Sequence, residues 1–340
     1  MTFPSALPAP RTLDPKTAPT LRWGILGTGW IADRFVASLR EHSSQEVIAV
    51  GSRTQSSAQA FADRHGIATA YCSYEALVGA AEVDVVYVGT PHNMHLPNAL
   101  LSLAAGKHTL IEKPLGATAE EARQIAAAAE SAGVFCMEAM WTAFLPKYDV
   151  IRQLLTDEVL GDPLSVVADF GEWFAEDHRI MRPELAGGPL LDLGTYLVTF
   201  ALGALGRPDA VSAVGQRVPS GVLGQVGALL THPGGRQSVL HTTLRSNTPT
   251  AAVVAGTEAT LVVDGPFYQP GGFTVTSALG LGSLRYDEEP AAHESLHFQA
   301  AEVARRITAG ETSSPLRPLA DSIATLEVLD EIAAACTVEV

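Results

Sequence analysis

LRWGILGTGWIADRFVASLRE, Leu21 to Glu41, begins as a short apolar run, turns through Gly27, Thr28 and Gly29, and continues with Ile31, Phe35 and Leu39 at four-residue spacing, one face of a helix. The turn GTGWIA places Gly27, Gly29 and Ala32 in the G-x-G-x-x-G/A pattern. Gly27 permits the tight turn, Gly29 lets the backbone come close to a pyrophosphate, and Ala32 lets helix and strand pack, with the helix dipole favouring the anion. A lone pattern of this kind is weak, because a plain tight turn or a methyl-donor site reads the same way. The surrounding sequence decides its weight.

Outward from this turn the alternation of strand and helix repeats. The strand VIAV, a helix over SSAQAFADRHG closed by Gly66, the short strand ATAY and a helix over YEALVGA come next. They are followed by the apolar strand VDVVYVG and the helix LPNALLSLAAG, with Pro97 in its first turn and Gly106 past its end. HTLIE, a helix from Thr118 to Ala132 capped by Gly133, and VFCME complete the series. Strands separated by crossover helices predict a doubly wound α/β domain with a parallel sheet over residues 21–141. The glycine turn thus stands at the first βα junction, where it reads as a dinucleotide site.

Beyond Gly161 the pattern changes. LSVVADFGEW, AVSAVGQRV, GQVGALLTH, RQSVLHTTLR, AAVVAGTEATLVVDG and GFTVTSALG succeed one another with little helix between. They predict an α+β domain over residues 142–340 built on a large open, mainly antiparallel sheet. The helices LHFQAAEVARRITAG and Ala320 to Cys336 are expected at the domain edges.

Composition bounds the function. A chain of 340 residues, 47% hydrophobic and 17% charged, can bury the cores of two domains, and no repeat is visible. Its net charge of −15 disfavours nucleic acid and anionic membranes as partners and leaves small molecules. Cys72, Cys136 and Cys336 lack metal or redox spacing and read as small buried hydrophobes in a reducing compartment. Residues 1–20 hold five prolines and no secretory or twin-arginine signal, so the cytoplasm is expected. This extension should form no core of its own, as a disordered tail or as an arm laid on a neighbouring subunit. No uninterrupted apolar run reaches membrane-spanning length, since even LLDLGTYLVTFALGALG carries Asp192.

The ends of the parallel strands line the ligand crevice of such a sheet. After VIAV come Ser52, Arg53 and Thr54, where an NAD site usually has a carboxylate about twenty positions beyond the glycines. Arg53 instead suits the 2′-phosphate of NADP(H), with NAD(H) as the lesser expectation. TPHNMH brings Thr90, Pro91, His92 and His95 to the same crevice, and without a third ligand the histidine pair predicts packing or hydrogen bonding near the cofactor, not a metal site. In TLIEKPLG, Lys113 ends an apolar strand between Glu112 and Pro114, although the chain has only Lys16, Lys107 and Lys147 besides.

GTGWIA, TPHNMH and above all EKP resemble the Gfo/Idh/MocA superfamily of oxidoreductases. MEAMWTAFLP (Met137 to Pro146) and RPELAGGPLLDLGTYL (Arg182 to Leu197) resemble its dihydrodiol dehydrogenase and NADP-dependent D-xylose dehydrogenase branch. The likeness runs from Leu21 over nearly the whole chain. It implies a Rossmann domain followed by a substrate domain whose open sheet makes subunit contacts, hence a homodimer or homotetramer. It implies a cofactor cradled by Gly27, Thr28, Gly29, Trp30 and Ile31, and Lys113 beside the nicotinamide and the reacting carbon in an interdomain cleft. Glu112 would orient Lys113 or touch the nicotinamide ribose. Tyr196 would carry the proton, with Asp192, four residues earlier on the same helical face, binding a substrate hydroxyl or orienting the tyrosine. Trp141, Trp173, Phe174 and Arg179 are candidates for the substrate wall.

Two departures leave the substrate open: Ala143 stands where the branch reads W-T-R-F, and Arg182 where an acidic residue is frequent. The activity implied is hydride transfer between nicotinamide and a hydroxyl or carbonyl carbon of a sugar, polyol or cyclic diol. The alternatives are a non-catalytic dinucleotide-sensing interaction protein, which would need neither Lys113 nor Tyr196, and a redox-assisted glycosidase with tightly bound cofactor.

Overall fold

In the computed structural model, which describes residues 3–289 and 292–339, the chain divides into two compact units. Leu13–Phe144 and Ala292–Ile323 form a parallel-sheet unit; Met1–Thr12, Leu145–Ala291 and Ala324–Val340 form a mixed-sheet unit.

The parallel-sheet unit contains β1 (Arg22–Leu26), α1 (Trp30–His42), β2 (Glu46–Gly51), α2 (Gln55–His65), β3 (Thr69–Tyr71), α3 (Tyr74–Val78), β4 (Val85–Val88), α4 (His95–Ala104), β5 (His108–Glu112), α5 (Ala119–Ala132) and β6 (Cys136–Ala139). All pairings are parallel, in the order β3-β2-β1-β4-β5-β6. The order reverses between β1 and β4, which opens a crevice at their carboxyl ends. Local chemistry sets the helix ends. Thr54 and Thr118 accept backbone N–H groups at the starts of α2 and α5, and Gly66 and Gly133 end them in left-handed conformation. Every residue of β4 is buried, as a strand covered on both faces requires.

The mixed-sheet unit begins with α6 (Pro146–Thr156) and β7 (Pro163–Gly171), and continues with α7 (Thr195–Leu205), β8 (Ala210–Arg217), β9 (Leu223–His232), β10 (Arg236–Thr243), β11 (Ala252–Gly256), β12 (Ala259–Val263), β13 (Phe273–Ser277), β14 (Ser283–Tyr286) and, at the end of the chain, β15 (Cys336–Glu339). The nine strands lie in the order β14-β13-β12-β11-β7-β10-β9-β8-β15. Two pairings, β7 with β10 and β8 with β15, are parallel, and the rest are antiparallel. Pro183–Leu205 is long and apolar enough by length and composition to cross a membrane, although Glu184 and Asp192 interrupt the apolar run. It is not one straight helix, because Ala186 (φ 54) and Gly188 (φ 115) break it. The continuous helix after the break, Pro189 to Leu205, has seventeen residues, at most about 25 Å against the roughly 30 Å of a bilayer core.

The division of the chain is less simple than one boundary near residue 141. It returns to the parallel-sheet unit with α8 (His297–Thr308), which packs on α1 where the Ser38 hydroxyl meets the His297 ring at 3.0 Å and its N–H at 3.1 Å. The last helix is α9 (Leu319–Ala335).

From residue 3 onward the proline-rich extension is ordered by contacts with its own chain. In the mixed-sheet unit, the Arg11 N–H and guanidinium bond Asp149 at 2.7 and 3.0 Å, and Gln153 donates to the Ala9 carbonyl. In the parallel-sheet unit, Arg305 donates to the Asp14 carbonyl, and Ala18 is buried against Ala301 and Ala304. Prolines already restrict the unfolded arm, so a few such contacts suffice to order it.

Candidate functional site

At the β1–α1 turn, Gly27 has φ 101, and a Cβ there would stand 2.8 Å from the Gly89 carbonyl oxygen. Gly29, by contrast, faces open space: an added Cβ would approach nothing nearer than that oxygen, at 4.0 Å. Gly29 caps α1 without a side-chain hydrogen bond. The first N–H groups of this thirteen-residue helix are thus uncapped by a side chain beside an uncrowded Gly29, which fits a pyrophosphate. Thr28 and Ile31 are half-buried beside it, Trp30 is exposed, and Ala32 is buried under Gly89.

At the end of β2, Ser52 is buried and Arg53 exposed, and no carboxylate follows. Arg53 is near enough to Tyr74 to counter the rise in the phenol pKa that burial causes. The Thr54 hydroxyl is engaged as the cap of α2, accepting the Ser57 N–H at 3.3 Å.

The two loops after β4 and β5 are tied together. The Thr90 hydroxyl accepts from Asn98 at 3.0 Å, and beyond Pro91 a single 3-10 turn carries His92. His92 is buried, its ring 5.6 Å from that of His95. His95 is fully buried, with Nδ1 2.7 Å from the Pro114 carbonyl and Nε2 2.9 Å from the Thr90 carbonyl. Burial pushes this imidazole toward its neutral form, and the Lys113 charge adds to the push. A neutral ring donates to only one of the two carbonyls. His95 thus braces the crevice from behind.

Lys113 is half-buried at the end of β5, ahead of a cis peptide to Pro114. Its N–H donates to Glu112 Oε2 at 3.2 Å, while Glu112 Oε1 accepts from the Tyr87 hydroxyl at 2.6 Å. The Glu112 carboxyl is therefore turned to Tyr87 and its own loop. Burial pushes its pKa up to about 7, against the opposing pull of Tyr87 and Lys113. One residue beyond Pro114, the Leu115 N–H donates to Glu138 Oε1 at 2.9 Å. Glu138 Oε2 in turn accepts from Arg317 Nε and the Ser322 hydroxyl, both at 2.7 Å. Three buried side chains, His95, Glu112 and Glu138, therefore fix the loop that carries Lys113.

In the mixed-sheet unit, Gly187 allows a tight fold-back, since a Cβ there would lie 2.4 Å from the Ile180 carbonyl oxygen. A helix starts at Pro189 as the sequence predicts, but its first turn, Leu190–Gly194, is a π turn that leads into α7. Asp192 sits in that wide turn and accepts from Arg179 Nη2 at 3.1 Å, which brings two of the predicted residues together. Tyr196 is buried, its ring 4.7 Å from Tyr268 and 6.0 Å from Phe170, and Phe170 and Tyr268 stack at 4.7 Å. Trp173 is exposed, its backbone N–H donating to Asn247 Oδ1, and the Phe174 ring lies 4.7 Å from His178. Trp141 belongs to the parallel-sheet unit and is buried; Ala143 is half-buried on the same 3-10 turn, and Arg182 is exposed.

Tyr268 went unnoticed in the sequence. Its hydroxyl accepts from Gln269 at 2.9 Å, and burial pushes its pKa up to about 12. The signal was two aromatics inside GPFYQPGG, a turn-rich connection between β12 and β13. Among the described residues, no three His, Cys, Asp or Glu side chains converge as a metal site.

Comparison with known proteins agrees with the fold. Residues 21–140 match an oxidoreductase family with an NAD-binding Rossmann fold, and residues 148–262 match the GFO/IDH/MocA C-terminal domain. Trans-1,2-dihydrobenzene-1,2-diol dehydrogenase of Sus scrofa is 37% identical over 325 residues, 92% of this chain and 96% of that enzyme. The 3-ketoreductase KijD10 from Actinomadura kijaniata, solved with NADP and TDP-benzene, is 25% identical with a TM-score of 0.84, covering 94% of this chain and 99% of its own. The aldose-aldose oxidoreductase from Caulobacter crescentus, solved with glycerol, is 26% identical with a TM-score of 0.81, covering 93% and 97%.

Proposed function

The chain belongs to the Gfo/Idh/MocA oxidoreductase family, and from that premise we propose that it is an NADP-dependent dehydrogenase or reductase acting on a sugar, polyol or cyclic diol. The observation that carries this reading is Lys113, held at the crevice end of β5 by three buried side chains beside an open dinucleotide turn. When bound, the nicotinamide accepts or supplies a hydride. The backbone of Gly27 to Ile31 would hold the pyrophosphate, with Thr90 and Pro91 on the crevice wall. Arg53 and Ser52 would hold the 2′-phosphate, a reading supported by the exposed guanidinium and the missing carboxylate.

Lys113 stabilises the alkoxide at the reacting carbon, and Tyr196 gives or takes its proton. Asp192, paired with Arg179, accepts a substrate hydroxyl, and Trp141 and Trp173 offer aromatic faces to the ring. The named activities of the relatives, on a cyclic diol and on aldoses, support this substrate class. The unpaired cysteines support a reducing compartment, the cytoplasm.

A homo-oligomer joined through the nine-stranded sheet is part of the proposal. Val262, Val253, Val167, Val239 and Leu229 occupy one register row across β12, β11, β7, β10 and β9. Four of the five are exposed, Val167 by 51%. A contiguous apolar stripe on an open sheet suits a second copy of the chain.

Incubating the purified protein with NADP+ and a panel of aldoses, polyols and cyclic diols, and following nicotinamide absorbance, tests the reading. Reduction of the cofactor by at least one of them is expected. No turnover with any, nor with the matching carbonyl compounds and NADPH, would overturn it.

A further inference from the structure

The 3-10 turn Ala292–Leu296, just ahead of α8, holds a histidine with no part in the roles above. The His293 ring stands edge-on to the Trp30 indole, centroids 4.7 Å apart at 79°, and lies against the Trp141 indole at 5.4 Å and 32°. Trp30 follows Gly29 in the dinucleotide turn and is 58% exposed. Trp141 stands just after β6 and is buried. The Arg34 guanidinium lies over the Trp30 ring, 5.9 Å from its centroid. His293 thus spans from the pyrophosphate turn to the end of β6, within electrostatic reach of Lys113 and Arg34.

A phenylalanine or leucine would fill the gap between two indoles without a polar atom to satisfy. A histidine there adds one thing, a polar ring nitrogen between the two indoles. Burial, helped by the charges of Lys113 and Arg34, brings the imidazole pKa down to about 4. The ring is then neutral in the working range, with one N–H donor and one acceptor. Its place along the crevice selects the ligand. Arg53 marks the adenosine end at β2, Trp30 the pyrophosphate and Lys113 the reacting end; His293, between Trp30 and Trp141, lies on the Lys113 side.

We propose that His293 is a binding residue for the nicotinamide-mononucleotide half of the cofactor, hydrogen-bonding an oxygen of its ribose or phosphate while the exposed Trp30 indole covers the same half. The proposal rests on the dinucleotide reading given above. It carries two consequences. The contact is blind to the 2′-phosphate, so NADPH and NADH feel its loss alike. It also depends on the ring nitrogen and not on the ring's bulk.

The test is calorimetric titration of the unmutated protein, His293→Phe and His293→Asn with NADPH and with NADH, alongside the thermal midpoint of each protein without ligand. His293→Phe keeps both indole contacts, so the midpoint should hold while both dinucleotides bind about tenfold more weakly, the worth of one hydrogen bond. His293→Asn, which restores a polar donor, should recover part of that loss even if its midpoint falls. Unchanged affinity in the Phe variant, or a loss confined to NADPH, would overturn the contact while leaving the cofactor reading in place. Should the Phe variant unfold, an Asn variant that binds no better than His293→Ala overturns it equally. An unmutated protein that bound neither dinucleotide would overturn the cofactor reading and this contact together.

Discussion

The Tyr87 hydroxyl donates to Glu112 Oε1 at 2.6 Å; both side chains are buried, and Glu112 immediately precedes Lys113. The bond holds the Glu112 carboxyl in a place where burial raises its pKa from 4.5 to about 7. Between those values the folded protein keeps a proton that the unfolded chain has released. Stability from this group is therefore full below the lower value and falls as pH rises through the upper one, by about 3 kcal/mol in all. Glu112→Gln removes the titration and keeps an oxygen for Tyr87. Denaturant unfolding should show the variant gaining on the unmutated protein by that order between pH 5 and pH 8. Parallel pH curves for the two proteins would refute the assignment.

Cofactor choice should reside in Arg53. An exposed guanidinium pairing with a phosphate contributes roughly 1.5–3 kcal/mol, so Arg53→Ala should weaken NADPH by about ten- to a hundredfold and leave NADH nearly unchanged. Equal affinity of the unmutated protein for the two cofactors would contradict this.

Glu138 and Arg317 are both almost fully buried, and their ion pair stands beneath the loop that carries Lys113. Removing one partner of such a pair leaves a buried charge and typically costs about 3–5 kcal/mol. Arg317→Met should lose stability of that order, and adding Glu138→Gln should return part of it. A single variant as stable as the parent would show that Ser322 and the Leu115 N–H suffice for the carboxylate.

If the apolar row on the nine-stranded sheet meets a second copy, a charge in its middle should separate the subunits. Sedimentation of Val167→Glu should give the mass of one chain, and the unmutated protein a multiple of it. An unmutated protein that sediments as a single chain at micromolar concentration would rule out this use of the face.

Periodicity and local caps made much of the fold legible. The four-residue spacing of Ile31, Phe35 and Leu39 marked α1, and Thr118 and Gly133 marked α5, because these signals act within a few residues. Sequence patterns say that a helix buries a face, not what covers it, so the return of α8 to α1 through Ser38 and His297 could not be read. The Glu138–Arg317 pair joins residues 179 positions apart for the same reason. Asp192 and Tyr196 share a helix as their spacing implies, but nothing in LLDLG distinguishes a π turn from an α turn. Tyr268 escaped notice because it lies in a turn-rich connection, and His293 because nothing in AHESL says that it meets Trp30 and Trp141.

Lys113 and Tyr196 are proposed to act as one proton-handling unit. The most direct measurement is a double-mutant cycle on kcat for nicotinamide reduction with a confirmed substrate, comparing the unmutated protein, Lys113→Met, Tyr196→Phe and the double variant. Each single change should slow turnover by about a hundredfold or more, the double variant should be hardly slower than the worse single one, and NADPH binding should persist in all. Near-normal turnover in either single variant, or losses that simply multiply, would contradict it.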